Sequence, residues 1–300
     1  MLETTYPQIR SFLQYLQYEK RYSQHTIISY QTDLEQFFTY LMSQYDSPPI
    51  TEVTARYIRS WLAEMRNEKM TPKSLNRKIS SLRSFFKYQL KLGLIKVTPL
   101  TTIKAPKIGK RLPSFVGEKD MQTLTDYVEF PDTWKGRTDK LLIGIFYATG
   151  MRLSELIGLK ISQVDIENKQ VKVLGKGNKE RIIPVSKELI LQLKEYCKGR
   201  QQLPVENSSD QVFVNEKGKA LYPKYVYNVV KANLSLVTTL QKKSPHVLRH
   251  TFATHLTNNG ADLNAVKELL GHSSLAATQV YTHNTIDRLK DIHKKAHPKS

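Results

Sequence analysis

Hydrophobic residues recur at three- and four-residue spacing through the first hundred positions, a pattern typical of amphipathic helices. The clearest helix follows Thr71, because threonine is a good N-cap and Pro72 fits the first helical position. An apolar stripe runs from there to a stop near Gly93. With caps at Ser23 and Thr54 and an opening segment around residues 9–18, the pattern predicts four helices. The expected apolar stripes are Ile27, Tyr30, Leu34, Phe37, Phe38 and Leu41; Ile58, Trp61, Leu62 and Met65; and Leu75, Ile79, Leu82, Phe86 and Leu90.

The pattern changes in the second part of the chain, where helices are joined by one hairpin. Residues 139–147 predict a buried helix, and a second helix is expected from about Leu153. Residues 171–174 and 181–185 predict two strands on either side of a glycine turn, and the remainder predicts helices. The fold class is therefore mainly α: a four-helix N-terminal domain, followed by an α+β domain with a small sheet.

The boundary between the two expected domains is a basic segment rich in proline and glycine. A chain of 300 residues is long enough for about two domains. Residues 105–113 form a poor helix or strand but a good exposed linker. We therefore predict an N-terminal domain over residues 1–104, a linker over 105–113 and a C-terminal domain over 114–300.

The net charge of the chain indicates what kind of partner it binds. The chain carries 46 Lys and Arg against 27 Asp and Glu, a net charge of +19. The excess is shared by both halves, which favours an extended polyanion, nucleic acid before anionic lipid, held between them. The polar side of the fourth helix suits phosphates and base edges, although a merely solvated face stays open. The candidate DNA-binding residues are Lys73, Asn76, Arg77, Ser81 and Lys87 on this helix, and Lys107, Lys110 and Arg111 in the linker.

Several classes of protein are disfavoured by the composition. Cys197 is the only cysteine, so an intrachain disulfide is excluded and a reducing interior is the natural compartment. No run of about 18 apolar residues is present, and the first residues lack the pattern of a secretory signal. The sequence therefore predicts a cytoplasmic protein without a membrane partner.

Seven of the eight histidines follow residue 245, which first suggests a metal site. His246 and His250 are four residues apart, but Val247 replaces the glutamate of a His-Glu-x-x-His zinc motif, so no metal is expected. Ser244 can cap and Pro245 can open a helix instead. This places His246 and Arg249 on one face of its first turns, an arrangement suited to binding a phosphate.

Other candidates are ordinary when taken one at a time. Gly271 is a plausible helix C-cap before His272, and Tyr281 lies on an amphipathic segment, where tyrosine is usually structural. Arg152 and Glu155 are spaced as a surface ion pair. Lys176 stands in a Gly-Lys-Gly turn, which is most often a simple hairpin.

Together these motifs resemble the ordered set of the tyrosine recombinases, over nearly the whole chain. The length and the four-helix N-terminal segment are most similar to the Xer recombinases, which resolve chromosome dimers. The motifs are Thr149-Gly-Met-Arg152-Leu-Ser-Glu155-Leu, Gly175-Lys176-Gly-Asn-Lys-Glu-Arg181, His246-Val-Leu-Arg249-His250-Thr-Phe-Ala-Thr-His255-Leu, Leu269-Leu-Gly-His272, and Tyr281.

The resemblance implies a chemical role for each position. Negative charge gathers on a phosphodiester under attack, and guanidinium groups can donate two hydrogen bonds each to its oxygens. A covalent phosphotyrosine conserves the energy of the broken bond, so resealing needs neither ATP nor a metal, and no cofactor is expected. The implied roles are Tyr281 as nucleophile, Arg152 and Arg249 as phosphate clamp, Lys176 as general acid, His246 and His272 as their helpers, and Glu155 as the residue that orients Arg152.

The resemblance also implies partners. These are a double-stranded DNA recombination site, a homo- or hetero-tetramer with a related recombinase, and a cell-division DNA translocase, in the bacterial cytoplasm at the nucleoid. Three alternatives stay open: an integrase or transposase of a mobile element, a type IB topoisomerase, and an architectural DNA-binding protein that does not cleave. A short apolar stripe of Ile286, Leu289 and Ile292 is expected to pack either on its own domain or on a neighbouring protomer.

Overall fold

The computed structural model describes residues 2–109, 114–175, 180–203 and 209–271. The chain divides into two compact units, Met1–Arg111 and Leu112–Ser300. Each unit has a hydrophobic core of its own. The division falls inside the segment expected to be a linker. The limits of that linker stay a prediction, because residues 110–113 lie outside the described residues.

The N-terminal unit contains the four expected helices and a short one before them. Ser23 and Thr71 cap as predicted, because their hydroxyl oxygens accept from the N–H groups of Thr26 and Ser74. Thr54 occupies the N-cap position but makes no such bond. The helices are α1 (Leu2–Thr5), α2 (Gln8–Gln14, continued by a π-helical turn over Tyr15–Glu19), α3 (Gln24–Gln44), α4 (Ala55–Asn67) and α5 (Pro72–Lys91), with a 3₁₀ turn at Ile50–Glu52.

The core of this unit is aromatic. Phe37 packs edge-to-face on Trp61, and Phe12 and Phe38 each pack edge-to-face on Phe85. Most of the predicted stripes are buried, but Leu90 is 40% exposed because it lies in the last turn of α5. The apolar pattern therefore predicted most of the buried faces, with Leu90 exposed near a helix end and Tyr30, Leu62 and Met65 only half-buried.

The described part of the C-terminal unit is a set of helices with one small sheet. Its helices are α6 (Glu118–Asp126), α7 (Trp134–Thr149), α8 (Leu153–Ile157), α9 (Lys187–Arg200), α10 (Pro223–Val237), α11 (Pro245–Asn258) and α12 (Leu263–Leu270), with a 3₁₀ turn at Ile161–Gln163. The strands are β1 (Val164–Asp165), β2 (Gln170–Leu174) and β3 (Glu180–Pro184).

The predicted hairpin is β2–β3, which is antiparallel and pairs Val171 with Ile183. Strand β1 was not predicted, because two residues are too short for an alternating pattern to register. Helix α7 begins at Trp134 rather than at residue 139, since the hydroxyl of Thr133 caps it by accepting from the Gly136 N–H at 3.0 Å.

Helix α7 is buried along most of its length, packs against α11 and ends at Gly150. Gly150 adopts φ +57°, and a Cβ atom there would lie 2.5 Å from Cδ1 of Phe252 on α11. Only glycine allows this left-handed turn at such close range. The turn leads directly into α8, whose N-cap is Arg152. Within the described ranges, none of the helices has both the length and the apolar character needed to cross a bilayer.

Candidate active site

Arg249 on α11 is buried against the ends of two other helices. Its Nη1 donates to the carbonyl oxygen of Gly150 at 2.6 Å, and its Nη2 donates to that of Leu270 at 2.7 Å. A cation at helix C-termini is favoured by the helix dipoles. Burial, together with the charge of Arg152, lowers the pKa of Arg249 to about 10, so the group remains a cation at neutral pH.

Glu155 is the anion at the centre of this region, and its side chain is only 4% exposed. Its carboxylate accepts from Nη1 and Nη2 of Arg181 at 3.0 and 2.8 Å and from Nη1 of Arg152 at 2.7 Å. It also accepts from the Arg152 backbone N–H at 2.8 Å. Burial by itself would raise the pKa of Glu155, but the hydrogen bonds from Arg181 and Arg152 and their charges lower it to about 2. Arg152 and Glu155 are therefore more than a surface ion pair.

Arg181 on β3 is a component to which sequence reasoning gave no role. It is 4% exposed, and its Nε donates to the carbonyl of Leu269 at 2.8 Å. A Cβ on Gly271 would meet its Cδ at 3.1 Å, so this glycine also makes room for the arginine. The available signal was its place at the end of the Gly175–Arg181 motif. Its burial follows from the tertiary contact of β3 with α12.

Three consecutive carbonyl groups at the end of α12 accept from three different arginines. Leu269 accepts from Arg181, Leu270 from Arg249, and Gly271 from Nη2 of Arg152 at 3.2 Å. Gly271 caps the helix at φ +64°, as predicted. Glu155 is the carboxylate that contacts two of these arginines, Arg152 and Arg181, so the group is cationic. The side chain of Arg152 is 36% exposed and is available to an external anion.

His246 and His250 form a pair on α11. Their Nε2 atoms are 3.1 Å apart, and their rings are tilted by 67°. His246 is exposed, whereas Arg249 is buried, so the expected common face of these two residues is divided between solvent and the interior. Among the residues that the structure describes, no group of three or more His, Cys, Asp or Glu side chains is placed to hold a metal ion.

The remaining expected catalytic residues, Lys176, His272 and Tyr281, lie outside the described residues, as does the apolar stripe at 286–292. The described chain stops at Gly175 after β2, resumes at β3, and ends at Gly271. The structure thus brings together Arg152, Glu155 and Arg249, and adds Arg181. The catalytic roles of all these positions stay predictions.

The candidate DNA-binding residues of the N-terminal unit do not share one environment. Lys73, Lys87 and Lys107 are exposed, as expected for phosphate contacts. Asn76 is half-buried and donates to the carbonyl of Pro106 at 2.9 Å. Lys110 and Arg111 lie outside the described residues.

The placement of Ser81 on the polar face was wrong. Ser81 is 5% exposed and donates to Asp33 at 2.8 Å. Asp33 is fully buried and also accepts from Arg77 at 2.6 Å and Lys78 at 3.1 Å. A buried carboxylate needs several donors, and this requirement draws the serine hydroxyl inward. Arg77 remains exposed but has Asp33 and Ser29 as partners.

Comparison with known proteins relates both units to the phage integrases. Residues 114–288 match the phage integrase family, and residues 9–93 match the N-terminal SAM-like domain of phage integrases. The chain is 35% identical to "Tyrosine recombinase XerC" of Chlorobaculum parvum, covering 97% of this chain and 94% of that protein. It is 37% identical to "Tyrosine recombinase XerC" of Bacillus subtilis, covering 97% and 96%. A solved XerH site-specific recombinase, in a post-cleavage complex with its palindromic difH substrate, superposes with a TM-score of 0.70 at 27% identity, covering 89% of this chain and 78% of that chain.

Proposed function

Because the chain belongs to the phage integrase family and is a site-specific tyrosine recombinase, we propose that it cuts and rejoins DNA through Tyr281 to resolve chromosome dimers at cell division. The observation that carries the proposal is the cluster of Arg152, Arg181 and Arg249 on the last carbonyls of α12. It creates a fixed positive field in a protein whose predicted nucleophile follows α12 in the chain. Such a field matches a phosphodiester under attack.

The arrangement supports a division of labour among the arginines. Arg152 is the most exposed of the three and is oriented by Glu155, so it meets the scissile phosphate. Arg249 adds a buried charge that does not have to reorganise during the reaction. In other enzymes, deleting one preorganised donor of this kind costs about 3–4 kcal/mol of transition-state stabilisation. Two or three guanidinium groups then supply the electrostatic stabilisation that a metal ion provides elsewhere, and the reaction runs without metal or ATP.

The covalent steps are assigned to residues outside the described part of the chain. The Tyr281 oxygen attacks phosphorus, the bond to the 5′-oxygen breaks, and Lys176 gives that oxygen its proton. The product is a 3′-phosphotyrosine and a free 5′-hydroxyl. Attack by a 5′-hydroxyl from a second duplex reverses the step and restores tyrosine. Because unperturbed tyrosine has a pKa of about 10, we assign the removal of its proton to His272 and the supporting positive field to the arginines and His246.

The chromosomal role is favoured over that of a mobile-element integrase by similarity to the XerC proteins along nearly the full length of both chains. With that role come the proposed partners: a double-stranded recombination site, a tetramer of this chain or of this chain with a related recombinase, and a cell-division DNA translocase. The proposed location is the cytoplasm, at the nucleoid. Lys73, Arg77, Lys87 and the linker cations Lys107, Lys110 and Arg111 are proposed to contact the DNA backbone.

Covalent trapping on genomic DNA tests the proposal. Purified protein is incubated with nicked genomic fragments, and adducts are captured, digested with protease and sequenced. We expect one chromosomal site to be enriched, together with a slow-migrating adduct that Tyr281→Phe does not form although it still binds DNA. Adduct formation by Tyr281→Phe contradicts the nucleophile, and enrichment at the ends of a mobile element contradicts the chromosomal role.

A further inference from the structure

The pairing of His246 with His250 carries an inference about the protonation of the active site. The two Nε2 atoms are 3.1 Å apart, with ring centroids separated by 4.3 Å. A nitrogen–nitrogen contact at this distance is a hydrogen bond. One Nε2 must therefore carry a hydrogen, and the other must offer its lone pair. Two imidazolium rings cannot make this contact, because both would present hydrogens.

The environments of the two rings decide which one accepts. His250 is half-buried and His246 is exposed. Burial, together with the charges of His246 and Arg249, lowers the pKa of His250. His250 therefore stays neutral at neutral pH and serves as the acceptor, while the exposed ring can carry charge at a smaller solvation cost.

Beside the two histidines themselves, the described charge that acts on the pair is Arg249, which helps to lower the pKa of His250. Arg249 lies between the two histidines in sequence, and behind it are Arg152 at the start of α8, Arg181 on β3 and the opposing Glu155. Helices α7, α10 and α12 also pack on α11, but within the described ranges the charges that lower the pKa of His250 are those of His246 and Arg249 on α11 itself. His250, a neutral acceptor next to Arg249, is therefore suited to hold a proton on the exposed ring of His246.

We propose that His250 is a positioning residue that accepts a hydrogen bond from Nε2 of His246 and thereby holds His246 as a protonated donor during DNA cleavage. A second proton, taken from solvent, is carried by Nδ1, the nitrogen that His250 does not engage. That N–H can donate to a phosphate oxygen. The inference rests on the proposed function, since it assigns to His246 a role in the cleavage step.

A bound transition metal is the other chemistry that two histidines four residues apart permit. Three observations disfavour it. The nearby Arg249 repels a dication, its cationic neighbours Arg152 and Arg181 outnumber the described anion Glu155, and no third His, Cys, Asp or Glu ligand completes a site among the described residues. A hydrogen bond between the two histidines requires neither a third ligand nor a surplus of negative charge.

The experiment compares His250→Phe with His250→Gln in the full-length protein. Phenylalanine keeps the ring shape without an acceptor, whereas the amide oxygen of glutamine can take the place of Nε2. Histidine ring nitrogens are observed by ¹⁵N NMR across a pH titration, and His246→Gln identifies the signal of His246. We expect the pKa of His246 to fall by about one unit or more in His250→Phe, the size of a lost charge-assisted hydrogen bond, and to stay near the wild-type value in His250→Gln.

Cleavage is measured in parallel on a nicked substrate. In His250→Phe the alkaline limb of the pH–rate profile should move to lower pH by the same amount, with DNA affinity unchanged, and His250→Gln should restore the limb. The proposal is overturned if His250→Phe cleaves more slowly at every pH while the alkaline limb of the pH–rate profile and the pKa of His246 stay at their wild-type values. It is also overturned if His246 has the same pKa in His250→Gln as in His250→Phe. If wild-type protein forms no covalent adduct, the proposed function fails, while the NMR comparison still decides the pairing.

Discussion

Glu155 and Arg181 form a two-bonded ion pair inside the C-terminal unit, with 3.0 and 2.8 Å between the carboxylate oxygens and Nη1 and Nη2. Both side chains are about 5% exposed or less. The same carboxylate holds Arg152, which is exposed enough to meet a ligand. A buried pair that fixes a partly exposed arginine links the stability of this unit to the geometry of its candidate site.

The pH dependence of stability should carry the signature of Glu155. Its pKa is about 2 in the folded protein, below the ordinary value of 4.5. The stabilisation is therefore complete above about pH 4.5 and is lost as the pH falls through about 2. A difference of this size corresponds to about 3 kcal/mol. Urea unfolding is followed by Trp134 fluorescence in a Trp61→Phe background. The difference in unfolding free energy between wild type and Glu155→Gln should be constant from pH 7 to about pH 4.5 and should narrow towards pH 3. A gap that does not change with pH contradicts the assignment.

Removing either clamp arginine should slow cleavage, but removing the buried Arg249 should weaken the fold more than removing Arg152. We expect Arg152→Ala and Arg249→Ala each to lower the cleavage rate by about 10²-fold or more with little change in DNA affinity. Arg249→Ala also leaves the carbonyls of Gly150 and Leu270 buried without a donor, at about 1–3 kcal/mol each. Single-turnover cleavage, gel shift and thermal unfolding measure the three effects. Equal loss of stability in the two variants would show that the buried hydrogen bonds of Arg249 add nothing to the stability of the fold.

Gly150 should be less tolerant of a methyl group than another left-handed glycine of the same unit. Gly150 and Gly260 have φ +57° and +85°, but a Cβ at Gly260 meets nothing within 4 Å. Gly260→Ala should therefore cost only the backbone strain, about 1–2 kcal/mol. Gly150→Ala adds a clash with Phe252, about 1–3 kcal/mol more, and moves a carbonyl that Arg249 needs. Thermal unfolding of both variants checks the difference, and equal destabilisation would contradict the close approach.

Lys176 should become dispensable when the leaving group no longer needs a proton. We expect Lys176→Ala to cleave an ordinary substrate very slowly and a substrate with sulfur at the scissile 5′ position at nearly the wild-type rate, because a thiolate leaves unprotonated. Arg249→Ala is the control and should not be rescued, since its loss affects the phosphate oxygens. Rescue of Arg249→Ala without rescue of Lys176→Ala would assign the acid elsewhere.

The sequence by itself determined the local structure and the family. Caps at Ser23 and Thr71, the stop at Gly271 and the β2–β3 hairpin depend on residues close together in the chain, so periodicity and turn chemistry predicted them. The motif set that carries the resemblance is likewise read from spacing. The same spacing identifies Arg152, Glu155 and Arg249 as candidate site residues from the sequence alone.

Only the tertiary structure decided which charges are buried and what they hold. Ser81 has the helical position of a surface residue, yet it turns inward because Asp33, on another helix, has to be satisfied. Arg181 belongs to a motif, but its partners are Glu155 on α8 and a carbonyl at the end of α12. The pairing of His246 with His250, rather than with Arg249, follows from which side of α11 faces the interior. Local propensity cannot encode these outcomes, because the cost of burying a charge depends on donors and acceptors that the fold brings from distant parts of the chain.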